Sequence, residues 1–196
     1  KVNLITAATS CVQNIIRSAE RCGLTVADVV LQPLASAEAV LSEDEKEIGV
    51  AVIDIGGGTT DLITYIDGSI AHASVIPVGG GNITSDIAAG LRTAMGEAER
   101  IKRNYGCALG RMVGDDEEIE VPGVGGHVPR RVARRALSEI VEPRVEEILA
   151  VVRQRLEASG LLGQLSAGAV LTGGAVLMDG MTDFAEEILG MPVRLG

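Results

Sequence analysis

The sequence is short of aromatic residues: no Trp, two Tyr and one Phe, 2% of 196 residues. Its core must come from Val, Ile, Leu and Ala, and recognition of bases or sugars by stacking on aromatic rings is disfavoured. Cysteine is equally scarce. Cys11, Cys22 and Cys107 are odd in number and irregularly spaced, which fits neither a disulfide framework nor a zinc site and reads as reduced thiols of a cytosolic chain. His72 and His127 stand alone, which argues against a histidine metal site or triad. Positive charge is in the minority, 17 Lys and Arg against 27 Asp and Glu for a net −10, so nucleic acid is not an expected partner. No apolar run approaches the roughly 18 residues of a membrane span, and no signal peptide opens the chain. The sequence begins inside the apolar run "KVNLITAA" without an initiating Met and stops soon after "MPVRLG". The expectation is a piece of a longer protein.

What is present is a core-forming α/β pattern, 46% hydrophobic, long enough for one large or two small domains. A strand is expected at residues 2–8, then a helix over Ser10–Cys22 capped by Ser10 and stopped by Gly23, with Val12, Ile15, Ile16 and Ala19 on one face. "VADVVLQPL" reads as a short strand broken at Pro33, Ala35–Ser42 as a small-residue helix, and "EDEKE" as a solvated turn. Ile48–Ile55 and Leu62–Ile66 read as buried strands, and Asp67-Gly68 as a hairpin turn leading into "SIAHASVIPV". Residues 50–78 are thus expected to form a three-strand antiparallel meander. Helices follow from near Thr84, over Thr93–Asn104 and over Val132–Ser159, the last kinked or restarted by Pro143. "AGAVLTGGAVLMDGM" gives a buried strand, a Gly-Gly turn and a helix from about Met181.

The chemistry lies in the glycine turns. "DIGGGTTD" puts Gly56, Gly57 and Gly58, followed by Thr59 and Thr60, between Asp54 and Asp61. Glycine lets a ligand approach the backbone closely; exposed N–H groups and threonine hydroxyls then cradle an anion. The flanking acids make sense if a hydrated Mg²⁺ sits between them and the phosphates. The plainer alternative is a tight hairpin whose glycines serve geometry alone. Further glycine turns at residues 79–81 and 173–174 also follow apolar strands, as if several backbone loops held one nucleotide. Glu99 and Lys102, at i and i+3 of a helix, point the same way; by themselves they are also consistent with an exposed ion pair.

Together these segments resemble the actin and heat-shock-chaperone ATPase superfamily. "DIGGGTTD" is similar to its second phosphate loop, "VLTGGAVLMDGM" to its adenosine loop, "LQPLASAEAVL" to its first connecting helix and "PVGGGNITSDIA" to its second connecting segment. With "HASVIPVGG", "AERIKRNYGCALG" and "EIVEPRVEEIL", the whole chain resembles the FtsA family of bacterial cell division, and resembles MreB and PilM less well. The resemblance implies an actin-like ATPase fold, a ribonuclease H-like mixed sheet flanked by helices. Residues 1–47 would be the end of subdomain IC and part of IA, 48–92 subdomain IIA, 93–165 subdomain IIB, and 166–196 the return to IIA. It implies ATP and Mg²⁺ as cofactors. Asp54 would hold the Mg²⁺ water shell, Gly56–Thr60 the β- and γ-phosphates, and Asp61 or Gln32 the attacking water. Glu99 and Lys102 would meet ribose and adenine; Gly173, Gly174 and Ala175 the adenosine and α-phosphate. The family's first phosphate loop and its C-terminal amphipathic membrane helix are not in this sequence.

The resemblance also implies a scaffold role, at most a slow ATPase: a self-associating protein at the cytoplasmic face of the inner membrane, at the septum. It would bind the C-terminal peptide of FtsZ and recruit later divisome proteins. A turnover ATPase or kinase of the same fold, or a scaffold such as PilM or MreB, is the alternative. Arg130, Arg131, Arg134 and Arg135, in "VPRRVARR", are expected on about two helical turns in the region of subdomain IIB. They read either as a docking site for that acidic peptide or as a solvated helix face neutralised by the nearby "DDEE".

Overall fold

Strand β1 (Val50–Ile55) is buried along its whole length, as a largely β-branched, mostly apolar run demands of a central strand. It pairs antiparallel with β2 (Thr60–Ile66) and parallel with β6 (Ala169–Thr172). β3 (Ser69–Ile76) and β7 (Val193–Leu195) complete a five-stranded mixed sheet of order β3-β2-β1-β6-β7. The computed structural model describes residues 8–123 and 128–196. The strand expected at residues 2–8 therefore lies, apart from Ala8, outside the described residues.

The meander over β1, β2 and β3 forms as expected. Asp67 and Gly68 both have positive φ, 50° and 68°, the turn whose twist matches a two-residue hairpin. The pleat then sorts side chains by parity. Ala51, Ile53, Ile55 and Leu62 face a large core shared with α4 (Gly80–Gly90), α5 (Met95–Tyr105), α6 (Arg134–Ser159) and α7 (Met181–Leu189). Val50, Val52, Ile63 and Tyr65 face a smaller core closed by Ala37 of α2 (Gln32–Val40). Between α5 and α6, β4 (Glu118–Val121) and β5 (Arg130–Ala133) form a separate two-stranded sheet.

Several local expectations are corrected. "VADVV" is irregular rather than a strand, and Val29 and Val30 are exposed; among the described residues no strand pairs with it, and an apolar run without a ladder to join gains nothing from extending as one. Pro33 does not break an element but sits in the first turn of α2, where its missing N–H has no partner to lose. "EDEKE" is not a turn. It forms α3 (Glu43–Ile48), because Ser42 and Glu45 make a reciprocal capping box and three acids occupy the first turn. α1 (Thr9–Arg21) lacks the Ser10 cap and buries no residue; Ile15 of its apolar face is exposed. α4 starts at Gly80, a turn before Thr84. α6 runs unbroken through Pro143 for 26 residues, because Pro143 is exposed on the outer side, where water can satisfy the carbonyl it leaves unpaired.

The sheet is tied to α3 by a bidentate ion pair. Arg194 of β7 donates Nε and Nη2 to Glu45, 2.8 Å each, and Nη2 also to the Val40 carbonyl at 2.7 Å. Hydrogen bonding from Arg194, opposed by burial and aided by Ser42, holds the Glu45 carboxyl down from 4.5 to about 2. A depressed carboxylate contributes stability above its unfolded-state value and loses it as pH falls toward the folded one. Glu45→Gln, which keeps the side-chain length of the capping box, is expected to cost about 1 kcal/mol at pH 7. In urea unfolding curves that deficit should shrink steadily between pH 4.5 and pH 3; a deficit independent of pH would show that the charge of Glu45 contributes nothing.

Candidate functional site

The β1–β2 register places Asp54 directly opposite Asp61, so the spacing of two acids seven positions apart is the geometry of one hairpin. Both fall on the face covered by α2, only 8% and 6% exposed. Ser36 donates its Oγ proton to Asp54 Oδ2 at 2.8 Å, and Gln32 Nε2 lies 3.5 Å from the same oxygen. Gln32 and Ser36 are one helical turn apart on α2, so both reach the strand from one face. Ser36 escapes sequence reasoning; its only signal is a hydroxyl in an alanine-rich helix four residues after Gln32. Burial, then the charge of Asp54, pushes the Asp61 carboxyl up, against a weak pull from the Thr59 hydroxyl. Carboxylates facing each other across a ladder destabilise one another unless a cation intervenes. Carboxylate, hydroxyl and amide oxygens are the donors a hard divalent cation takes. Among the described residues no three His, Cys, Asp or Glu gather to enclose a metal ion, so any cation here would keep waters or ligand oxygens.

The loop after β1 is clamped by the second glycine cluster. Gly80 and Gly81, at the start of α4, donate N–H to the carbonyls of Gly56 and Gly57 at 2.8 and 2.7 Å. A Cβ on Gly79 or Gly81 would come within 2.7 Å of Gly56 O or 2.8 Å of Gly57 O; no side chain fits that approach. Gly56 N–H closes the turn on Thr59 O at 2.9 Å. Gly57 and Gly58 are exposed, and among the described residues no acceptor meets their N–H groups. Thr60, by contrast, is fully buried and gives its hydroxyl to Val78 O at 2.8 Å. Of the two threonines only Thr59 keeps a hydroxyl near the surface of the loop, 3.5 Å from Asp61 Oδ2.

The third glycine turn follows β6 alongside β1. Gly173 has φ 95°, and a Cβ there would lie 2.5 Å from Ile55 O and 2.6 Å from Asp54 Oδ1, so the position is restricted to glycine twice over. Gly174 and Ala175 follow in a single 3₁₀ turn. From α5, Glu99, Lys102, Arg103 and Asn104 face this turn across a cavity of about 410 Å³, also lined by Gly174, Ala175, Leu177 and Met178. A smaller cavity of about 250 Å³ shares Glu99, Lys102, Arg103, Gly174 and Ala175 and reaches Gly56, Gly57 and Gly80. The cleft thus lies outside the carboxyl ends of the parallel strands β1 and β6, where open α/β sheets hold ligands. Glu99 and Lys102 are no exposed surface pair. Lys102 is 7% exposed and binds Glu99 Oε2 at 2.7 Å, Thr84 Oγ1 at 2.8 Å and Gly80 O at 3.0 Å. Burial raises the Glu99 carboxyl, but hydrogen bonds from Lys102 and Thr84 outweigh it and hold Glu99 below the usual range. Arg103 and Asn104 were not anticipated; a sequence gives i, i+3 spacing but not which flanking residues a facing loop leaves open.

The arginines are not arrayed on one helix. Arg130 and Arg131 lie on β5; Arg134 and Arg135 begin α6. Arg130 donates to Leu91 O at 2.7 Å, Arg131 lies 3.4 Å from Glu118, and Arg135 pairs with Asp115. Arg134 is committed most deeply, to Glu117 at 2.8 Å, Asp179 at 2.5 Å and Tyr105 O at 2.9 Å. The acidic stretch neutralises much of this charge.

Comparison with known proteins agrees with this geometry. The family described as "Cell division protein FtsA" matches residues 51–196. The cell division protein FtsA of Pseudomonas aeruginosa is 50% identical over 196 residues, 100% of this chain and 47% of that protein. That of Neisseria meningitidis is 50% identical over 197 residues, 100% of this chain and 48% of that protein. The chain therefore spans about half the length of the curated relatives it matches. Among solved structures, MreB5 of Spiroplasma citri bound to ADP superposes with a TM-score of 0.78 at 20% identity, over 97% of this chain and 61% of that one. A MamK double helical filament gives 0.72 at 16% identity, over 97% and 61%. At such identities the likeness establishes the fold, which is the α/β fold of the actin-like ATPases. By the match of residues 51–196 and its close relatives, the chain belongs to the FtsA cell-division family.

Proposed function

We propose that this chain carries the greater part of one wall of an ATP site in an actin-like cell-division scaffold. The observation that carries the reading is the convergence of three glycine turns on one cleft, with Asp54 of the buried carboxylate pair beside Gly173 of the third turn. Gly57 and Gly58 would offer N–H groups to phosphate oxygens, with the Thr59 hydroxyl beside them; Gly56 and Thr60 shape the loop. Gly173 allows the adenosine turn to approach β1, and Gly174 and Ala175 would lie against the nucleoside. Glu99 and Lys102 would meet ribose and adenine, with Arg103 at the rim. Mg²⁺, which the paired carboxylates of Asp54 and Asp61 suit, would supply charge neutralisation beside the phosphates. Asp54, oriented by Ser36 and Gln32, would hold the Mg²⁺ water shell by accepting hydrogen bonds from it. Gln32 or Asp61 would position an attacking water, a task that needs geometry more than basicity.

At the level of the whole protein, we read a self-associating scaffold that binds ATP, turns it over slowly, tethers FtsZ and recruits later divisome proteins. Relatives named for cell division and a filament-forming neighbour of the same fold support that reading. No helix among the described residues is long and apolar enough to cross a membrane. Attachment to the cytoplasmic face of the inner membrane would use an amphipathic helix outside these residues. The subdomain division proposed from sequence is supported by the sheet being built from residues 50–76 and 169–195, with β4, β5 and the whole of α6 between them. For the FtsZ C-terminal peptide, Arg131 and Arg135 are the best-placed arginines, since Arg134 is bound internally and Arg130 caps the carbonyl of Leu91.

In the full-length protein, Asp54→Ala is expected to weaken Mg²⁺-ATP binding by at least tenfold in calorimetry, while Asp67→Asn in the hairpin turn leaves it unchanged. Equal affinity for both variants would remove Asp54 from the site.

Asp61 gives the opposite sign for stability. A carboxyl raised by burial destabilises the fold once it is ionised. Without nucleotide or Mg²⁺, Asp61→Asn should raise Tm by about 2–4 °C at pH 7. The gain should fade as pH drops toward the ordinary carboxylate value of 3.8. A lower Tm at neutral pH would contradict a strained acid pair.

Reversing Arg131 and Arg135 to Glu is expected to weaken binding of a labelled FtsZ tail peptide more than reversing Arg153 and Arg155. Fluorescence anisotropy at several salt concentrations checks it, since an exposed ionic contact is screened over about 8–10 Å at physiological ionic strength. Unchanged affinity in the Arg131/Arg135 variant would move the docking site elsewhere.

A further inference from the structure

Thr84 is a polar residue inside the core that the nucleotide reading does not use. It lies one turn into α4, 3% exposed. A helical threonine commonly turns its hydroxyl back onto the carbonyl four residues earlier, and Thr84 Oγ1 is 3.1 Å from Gly80 O. Here two more groups crowd the same oxygen. Lys102 Nζ donates to it at 2.8 Å, and Glu99 Oε2 stands within hydrogen-bond reach. A hydroxyl has one proton and two lone pairs. With Lys102 occupying a lone pair, the proton goes either to Gly80 O or to Glu99.

Gly80 O already accepts from Lys102, and the carboxylate oxygen is the nearer and more strongly accepting partner, so the proton goes to Glu99, which is gripped from inside the protein by Thr84 and by Lys102 through Oε2. Its side chain remains 45% exposed and lines the cleft beside Gly174 and Ala175. The same hydrogen bonds keep it ionised, and an ionised carboxylate only accepts. The ligand groups that suit it are a pair of neighbouring hydroxyls, both able to donate. With Lys102 as its only anchor, an i, i+3 partner on the same helix, the carboxylate could swing; Thr84, from a different helix, fixes the second direction.

We propose that Thr84 is a positioning residue: its buried hydroxyl orients the Glu99 carboxylate toward the cis-diol of a ribonucleotide, and so sets a preference for ribose over 2′-deoxyribose. This rests on the cleft being the nucleotide site. A hydrogen bond to a charged group is worth a discrimination of about tenfold to a hundredfold.

The test is calorimetric titration of the full-length protein with ADP and with 2′-deoxy-ADP, each with Mg²⁺. The parent is expected to prefer ADP by about tenfold or more. Thr84→Val, which keeps the shape and removes the hydroxyl, should bring the ratio to within about twofold, chiefly by weakening ADP; Thr84→Ser should restore it. If Thr84→Val does not fold, Thr84→Ala decides by the same ratio. Loss of affinity for both nucleotides by one factor, with the ratio kept, would overturn the proposal and leave Thr84 a packing residue. A parent that binds both equally well would overturn it while leaving the cleft a nucleotide site. A parent that binds neither would overturn the cleft reading and this proposal together.

Discussion

Two backbone hydrogen bonds hold the site together. The N–H groups of Gly80 and Gly81 reach the carbonyls of Gly56 and Gly57, an approach so close that no Cβ fits between the segments. Because the carbonyls are turned toward α4, the N–H groups of Gly57 and Gly58 are left facing outward, where a phosphate can meet them. Lys102 secures the clamp from the other side by donating to Gly80 O. The loop after β1, the start of α4 and helix α5 are thereby one connected structure. Gly173 performs the matching function across the sheet, letting the turn after β6 lie against the end of β1.

The carboxylate pair is the cost of this arrangement. Asp54 and Asp61 face each other in a nearly water-free position, and Asp61 resists ionisation there. A fold selected for stability alone would place an amide or an apolar residue at one of the two positions. The strain makes physical sense where a cation and phosphate oxygens complete the charge balance, and Ser36 and Gln32 then fix one oxygen of Asp54 in advance.

Much of this was legible because it is local. Three β-branched runs, an Asp-Gly turn and glycines at strand ends specify strands, hairpin and loops within a few residues, and the β1–β2 register follows from the hairpin itself. What the sequence concealed depends on long-range contact. "EDEKE" looks like a solvated turn until Lys46 is seen buried between Glu38 and Glu43. "VADVV" looks like a strand, but among the described residues no strand pairs with it. The four arginines looked like one helical patch; the β4–β5 pairing divides them between a strand and a helix, and acids from the preceding segment meet them. Ser36, Thr84 and Arg103 lie within segments that carry the resemblance, but nothing in their spacing gives them a role, and only the packing of α2, α4 and α5 brings them to the site.

The most direct test of a nucleotide cleft formed by these turns is to see where a ligand touches the backbone. Amide chemical shifts of the isotopically labelled full-length protein, titrated with ADP and Mg²⁺, report it residue by residue. The largest perturbations are expected at Gly57, Gly58, Gly174 and Ala175, with Lys102 and Arg103 next, and little change along β4 and β5. Saturable binding with these amides unmoved, and perturbations gathered elsewhere, would contradict a phosphate cradle in the loop after β1.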